Sequence, residues 1–163
     1  MKIDTVNALQ RFQVPNPLDG KSNMTVTQSH HLKYHCQPPD RLTIEIGGEL
    51  GDHITEELTT RTVEALTKQP SIRFVVVDLR TLRDCRVMAR VGLTTLQKLL
   101  LRRQLRTAWI VATPRFHGLA MLAIGGAGDP NASVFSRMEQ VDAWFVVTDS
   151  RVQHQLSRFA RTS

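Results

Sequence analysis

Residues 74–79, FVVVDL, constrain the fold more than any other stretch of the chain. Their apolar positions are consecutive and do not alternate, so a strand built from them has two faces to cover. A second run, TAWIVAT at 107–113, has the same character. Two such strands call for helices packed against the sheet, and the intervening segments carry helical spacing.

The rest of the organisation follows from these two runs. HHLKYHCQPPDRLTIEIGGEL, residues 30–50, reads as two strands about Pro38-Pro39-Asp40. Leu42, Ile44 and Ile46 alternate with Thr43 and Glu45, the period of a half-buried strand, which predicts a β-hairpin. Asp52 reads as the N-cap of a helix with Glu56 and Glu57 in its early turns and Pro70 beyond its end. Ile54, Leu58, Ala65 and Leu66 give that helix its apolar positions. A long helix is expected over 88–106, with Met88, Val91, Leu96, Leu99 and Leu100 as its core face. Pro114 and Arg115 open a short apolar helix whose Leu119, Met121, Leu122 and Ile124 read as core. Gly125, Gly126 and Gly128 then end it and turn the chain. ASVF (132–135) is a last strand and MEQVDAWF (138–145) a final helix.

The order β-β-α-β-α-β-α-β-α predicts an α/β fold in a single domain, with a mixed, mainly parallel sheet, an N-terminal hairpin and about four helices. Residues 1–28 read as a flexible leader with one short helix around Val6 to Phe12, and 29–147 as the domain. Residues 148–163 read as a basic amphipathic tail. In it Val152, Leu156 and Phe159 fall at i, i+4, i+7 beside Arg151, Arg158 and Arg161.

Charge supplies the first functional clue. The net charge is +6, and from Arg80 to Arg115 nine Lys and Arg residues face one acid, Asp84. Arg86, Arg90, Lys98, Arg102 and Arg106 fall on one i, i+4 row, with Thr94 in the gap and Arg83 just before it. Like charges so spaced disfavour each other by a few tenths of a kcal/mol per pair. A helix that keeps such a row either spreads it into water, its stems covering apolar surface, or offers it to an anion. An acidic protein partner is the expected occupant. The alternative is a lipid or small apolar ligand with an anionic head, held in a cleft lined by Met88, Leu96, Arg115, Leu119 and Leu122. Nucleic acid is disfavoured, because the aromatics near the row are only Trp109 and Phe116 and stacking needs exposed rings. A homodimer stays open.

Other chemistries find little support. His30, His31, His35 and Cys36 are ligand types, but His31 and His35 on a strand lie roughly 13 Å apart, so no metal is expected. The glycines after Ile124 do not follow a strand and precede no helix, so no phosphate-cradling loop and no cofactor are expected. Cys85, between Arg83 and Arg86 at the end of a central strand, would have a lowered thiol pKa, with His117 as a distant partner. No base stands near it in sequence, so a non-catalytic protein is expected. Two cysteines form no disulfide framework, no apolar leader precedes the domain, and no run approaches a bilayer span. These observations predict a cytoplasmic protein.

The hairpin, the helix after Asp52, the strand FVVVDL and the long helix around Gly92 resemble the STAS fold. The closer likeness is to its SpoIIAA-like branch, which is itself compared with Sec14-type lipid-binding domains. NASVFSRMEQVDAWF (131–145) is similar to that branch's closing strand and helix, with Phe135 ending the strand and Ala143-Trp144 in the helix. The resemblance spans about Lys33 to Val146 and implies a bacterial regulatory or interaction module. In anti-sigma-factor antagonists the corresponding strand leads to an Asp-Ser-Ser-Gly-Leu type motif, whose serine is phosphorylated to break a partner contact. Here Ala89, Arg90 and Val91 precede Gly92-Leu93, with Thr94 and Thr95 beyond them inside the helix. The resemblance therefore implies the fold without that phospho-switch.

Overall fold

The computed structural model describes residues 30–159, with side chains as far as Thr148. The short helix expected around Val6 to Phe12 and the leader that holds it lie outside the described residues, as do the side chains of Val152, Leu156 and Phe159.

The elements, in chain order, are β1 (His30–Gln37), β2 (Arg41–Leu50), α1 (Ile54–Lys68), β3 (Phe74–Asp78), β4 (Leu82–Cys85), α2 (Val87–Arg102), β5 (Arg106–Ile110), α3 (Pro114–Ala127), β6 (Ala132–Phe135) and α4 (Met138–Phe159). The sheet runs β1-β2-β3-β5-β6, with β4 also paired to β2. β1 is antiparallel to β2, the hairpin turning at the cis Pro38-Pro39 peptide, and every other pairing is parallel. This is the α/β architecture that the alternation of elements predicts.

FVVVDL occupies the centre, and every residue of β3 is buried. Val75 and Val77 join Leu42, Ile44, Ile46 and Trp109 beneath α1, α2 and α3. Phe74 and Val76 face the other way, with Ala108 and Ile110, against Val141 and Phe145 of α4. Burying a side chain of this size stabilises by about 1.5–3 kcal/mol, and β3 collects it on both faces. Leaving one face in water would forfeit half. Three helices thus cover one face of the sheet, while α4 covers the β3–β5 part of the other. There Phe145 packs on Phe74 with ring centroids 4.5 Å apart, and Arg41 pairs with Asp142 at 2.7 Å.

The helices of the first layer approach closely. At Gly92 an added Cβ would lie 2.6 Å from Thr55 Oγ1, so the missing side chain is what lets α2 reach α1. Across the layer, α2 carries Gln97, fully buried, which accepts from the Trp109 indole N–H at 2.7 Å and donates to Asp129 at 2.6 Å. The backbone N–H of Asn131 completes the chain by donating to Asp129 at 2.8 Å. One buried polar run therefore ties α2, β5 and the α3–β6 turn together.

Four local expectations are corrected. Residues 82–85 form a strand, β4, that the predicted order does not contain. β2 is ten residues long, and β3 flanks only Arg41–Glu45, so its far end is free to pair with β4 from Gly48 onward. Asp52 is not the cap of α1. The helix starts one residue later, after His53, which makes no side-chain cap bond.

The long helix ends at Arg102, so Arg106 opens β5 and leaves the basic row. Gln104 takes a left-handed φ of 56°, while Leu105 N–H donates to Leu100 O and Gln104 N–H to Leu101 O. That crossed pair of bonds is a Schellman closure, with Leu105 folded back into the core. Finally, Gly125 and Gly126 lie inside α3, and Gly128 alone turns the chain, at φ 68°.

Candidate functional site

β4 delivers Asp84, Cys85 and Arg86 to the start of α2. Arg86 N–H donates to Leu50 O at 3.1 Å, which anchors this corner to the end of β2. Arg86 is the N-cap, in an extended conformation with no side-chain cap bond, and the first turn of α2 holds no acid. Beside it α3 begins at Pro114, with the Phe116 N–H donating to Thr113 Oγ1 at 3.4 Å. Two helix starts and one strand end therefore meet at a single corner of the molecule.

Apolar side chains stay uncovered there. Val87, Met88 and Val91 on α2, and Met121 and Leu122 on α3, are all half or more exposed, Val87 and Leu122 by 70% and 67%. The sequence-based assignment of Met88, Val91, Met121 and Leu122 to the core is corrected by this finding. The buried stripe of α2 is Ala89, Leu93, Leu96, Gln97 and Leu100, which turns positions 88 and 91 outward. On α3, Leu119 and Ile124 are buried as expected.

A cavity of about 530 Å³ opens between the two helix starts, lined by Cys85, Arg90, Arg115, Phe116, Leu119 and Leu122 among others. A second hollow of about 460 Å³ adjoins it. It shares Cys85, Arg90 and Arg115 and adds Asp52, Asp84, Arg86, Val87 and Met88.

The charges around this corner are unevenly matched. Arg115 donates to Asp84 at 2.5 Å, and Arg86 stands 4.0 Å from Asp52. The exposed Arg90 guanidinium has no ion pair among the described residues. The Asp84 carboxyl is held below the usual carboxylate range, first by the Cys85 backbone N–H and then by Arg115. Burial pushes the Cys85 thiol up to about 11, overriding the opposite pull of Arg90 and Arg115. The expectation of a lowered thiol pKa is therefore wrong, because desolvation outweighs the arginines. The thiol donates to Arg86 O at 3.6 Å.

The expected site residues separate into groups. Arg86, Arg90, Arg115, Met88, Leu119 and Leu122 come together at the corner. Arg83 is exposed on β4, next to Asp84. Lys98 and Arg102 are exposed on α2 but lie about 12 and 18 Å along its axis from Arg90. Arg106 is half-buried in β5, and Leu96 is fully buried in the core, so neither lines the cavity.

His117 belongs to a separate hollow with Val111, Thr113 and Ser136, away from Cys85. His31 and His35 share a face of β1, as a strand requires, and His31 and Lys33 both reach Glu45, at 3.1 and 3.4 Å. His30 points the other way and pairs with Glu57 at 3.0 Å. Among the described residues no three metal-ligating side chains gather. Val87 and Phe116 are among the residues of this corner that sequence reasoning assigned to no site. No sequence signal marks them, since their apolar character reads as core.

This arrangement of elements recurs in solved structures. SpoIIAA, an anti-sigma factor antagonist, in its unphosphorylated form matches with a TM-score of 0.53 at 16% identity, over 69% of this chain and 95% of that one. The chain has a SpoIIAA-like fold. An uncharacterized DUF3478-family protein from Shewanella loihica PV-4, also with a SpoIIAA-like fold, matches with a TM-score of 0.50 at 18% identity, over 71% of this chain and 93% of that one. No family model and no curated protein matches the sequence. The likeness thus extends to the SpoIIAA-like fold. Among the described residues no helix is long and apolar enough to cross a membrane.

Proposed function

We propose that the protein is a non-catalytic regulatory module of STAS type that binds an acidic protein partner at the corner formed by α2 and α3. One observation carries the reading: four large apolar side chains, Val87, Met88, Met121 and Leu122, lie exposed in the hollows that Arg86, Arg90 and Arg115 line, and Val91, next to Arg90 in α2, is half exposed as well. Uncovered apolar surface rimmed by charge is the composition of a docking site, where apolar anchors supply affinity and charges set approach and register. The SpoIIAA-like fold agrees with a regulatory role. A protonated Cys85 with no histidine beside it among the described residues argues against catalysis.

The partner contact works without a phosphorylated serine at this helix. The first turn of α2 reads Val-Met-Ala-Arg, and the hydroxyls of Thr94 and Thr95 donate back to the carbonyls of Arg90 and Val91. The test is a photo-reactive residue at position 88 or 122, with one at position 68 on α1 as the control. Adducts with an acidic protein from positions 88 and 122 support the reading. Equal labelling from position 68 removes it.

The cavity favours a second reading of the same corner, a carrier or sensor for a small apolar ligand with an anionic head. Its volume falls in the range of small-molecule sites, and Phe116, Leu119 and Leu122 make its wall apolar. Native mass spectrometry of protein prepared without detergent would show a bound mass, lost on denaturation, if that reading holds.

A further inference from the structure

Among the described residues, the hollow at this corner is lined by three arginines, Arg86, Arg90 and Arg115, against two aspartates, Asp52 and Asp84, an excess of one positive charge. The excess is localised. Arg115 is engaged by Asp84 at 2.5 Å and Arg86 faces Asp52 at 4.0 Å, which leaves Arg90. Arg90 and Arg115 both line the apolar cavity, whereas Asp84 lines the hollow beside it and not that cavity. Asp84 therefore stands outside the cavity and holds one of the two guanidinium groups at its mouth. Its backbone is fixed, since β4 pairs with β2 at Glu49↔Asp84. The carboxylate itself is ionised and in water, available to release Arg115 without a large desolvation penalty.

Resting on the ligand-binding reading of the cavity, we infer that Asp84 is a built-in competitor for the ligand's head group, and that the ligand is a monocarboxylate with an aliphatic chain. The chain lies against Phe116, Leu119 and Leu122. The head takes Arg90 directly and replaces Asp84 on Arg115. A single negative charge matches the single excess positive charge of the corner. A doubly charged phosphate would leave the corner negative, with Asp84 still in place. The competition sets a threshold: an apolar chain without a carboxylate cannot displace Asp84 and gains nothing from its removal.

The test is a titration of the whole chain with octanoate, followed by NMR, with 1-octanol as the uncharged probe. Asp84→Asn should tighten octanoate binding about three- to fivefold, the scale of an exposed ion pair, and leave octanol unchanged. In an Arg115→Gln background the same Asp84→Asn change should have no effect, because the group competed for is gone. Arg90→Gln should weaken octanoate several-fold with Asp84 present. Unchanged octanoate affinity in Asp84→Asn, with wild type binding normally, overturns the competitor role and leaves the cavity reading standing. No octanoate binding by wild type and Asp84→Asn alike overturns both.

Discussion

Gln97 joins Trp109 to Asp129 inside the core, accepting from the indole N–H at 2.7 Å and donating to the carboxylate at 2.6 Å. All three side chains are buried, so water cannot replace a lost partner. Gln97→Leu keeps the volume and strands both an N–H and a carboxylate oxygen. At about 1–3 kcal/mol for each unsatisfied group, the variant should lose about 2–6 kcal/mol in denaturant unfolding. Adding Trp109→Phe removes the stranded N–H, and the pair should cost less than the sum of the two single changes.

The end of α2 yields a prediction of opposite sign. Gln104 holds φ 56° in the Schellman closure, a conformation that glycine adopts without strain. Gln104→Gly should stabilise the protein by about 0.5–1 kcal/mol, read as a higher unfolding midpoint at constant slope. A loss of stability would mean that the Gln104 side chain contributes more than its backbone strain costs.

The two cysteines should differ in reactivity, in the order opposite to the one suggested by neighbouring arginines. Cys85 is buried with its thiol near pKa 11, and Cys36 is exposed. At pH 8 about one Cys85 thiol in a thousand is ionised, so iodoacetamide should modify Cys36 first by more than tenfold. Modification of Cys85 should speed up as pH rises toward 11, since raising pH deprotonates the thiol. Peptide mapping by mass spectrometry after timed quenching follows both sites. Faster labelling of Cys85 than of Cys36 at pH 8 would restore a nucleophilic role.

These outcomes also show which parts of the structure are legible in the sequence. FVVVDL and TAWIVAT are readable because consecutive apolar residues have few other uses in a chain with interleaved helices. β4 is not, because LRDC buries only its two ends and its pairing depends on the surplus length of β2. The end of α2 is hidden because Gln104 does the work usually left to glycine. The site is half legible. A row of positive charge is visible at i, i+4, yet only its N-terminal members, Arg86 and Arg90, meet Arg115 and the apolar patch. Periodicity identifies Met88, Val91, Met121 and Leu122 as apolar but cannot tell that the helix layer stops there, with nothing among the described residues to cover them.

The most direct measurement is affinity capture from delipidated extract of the source cells, with wild type, Arg86→Glu/Arg90→Glu and Lys98→Glu/Arg102→Glu run side by side at low and moderate salt. All four positions are exposed, so the folds should survive, and circular dichroism checks that they do. An acidic protein should be retained by wild type and reduced at moderate salt. It should fall at least tenfold with the 86/90 reversal and far less with the 98/102 reversal. Equal retention by all three proteins, or a larger loss from the 98/102 reversal, would contradict a docking face at the corner of α2 and α3.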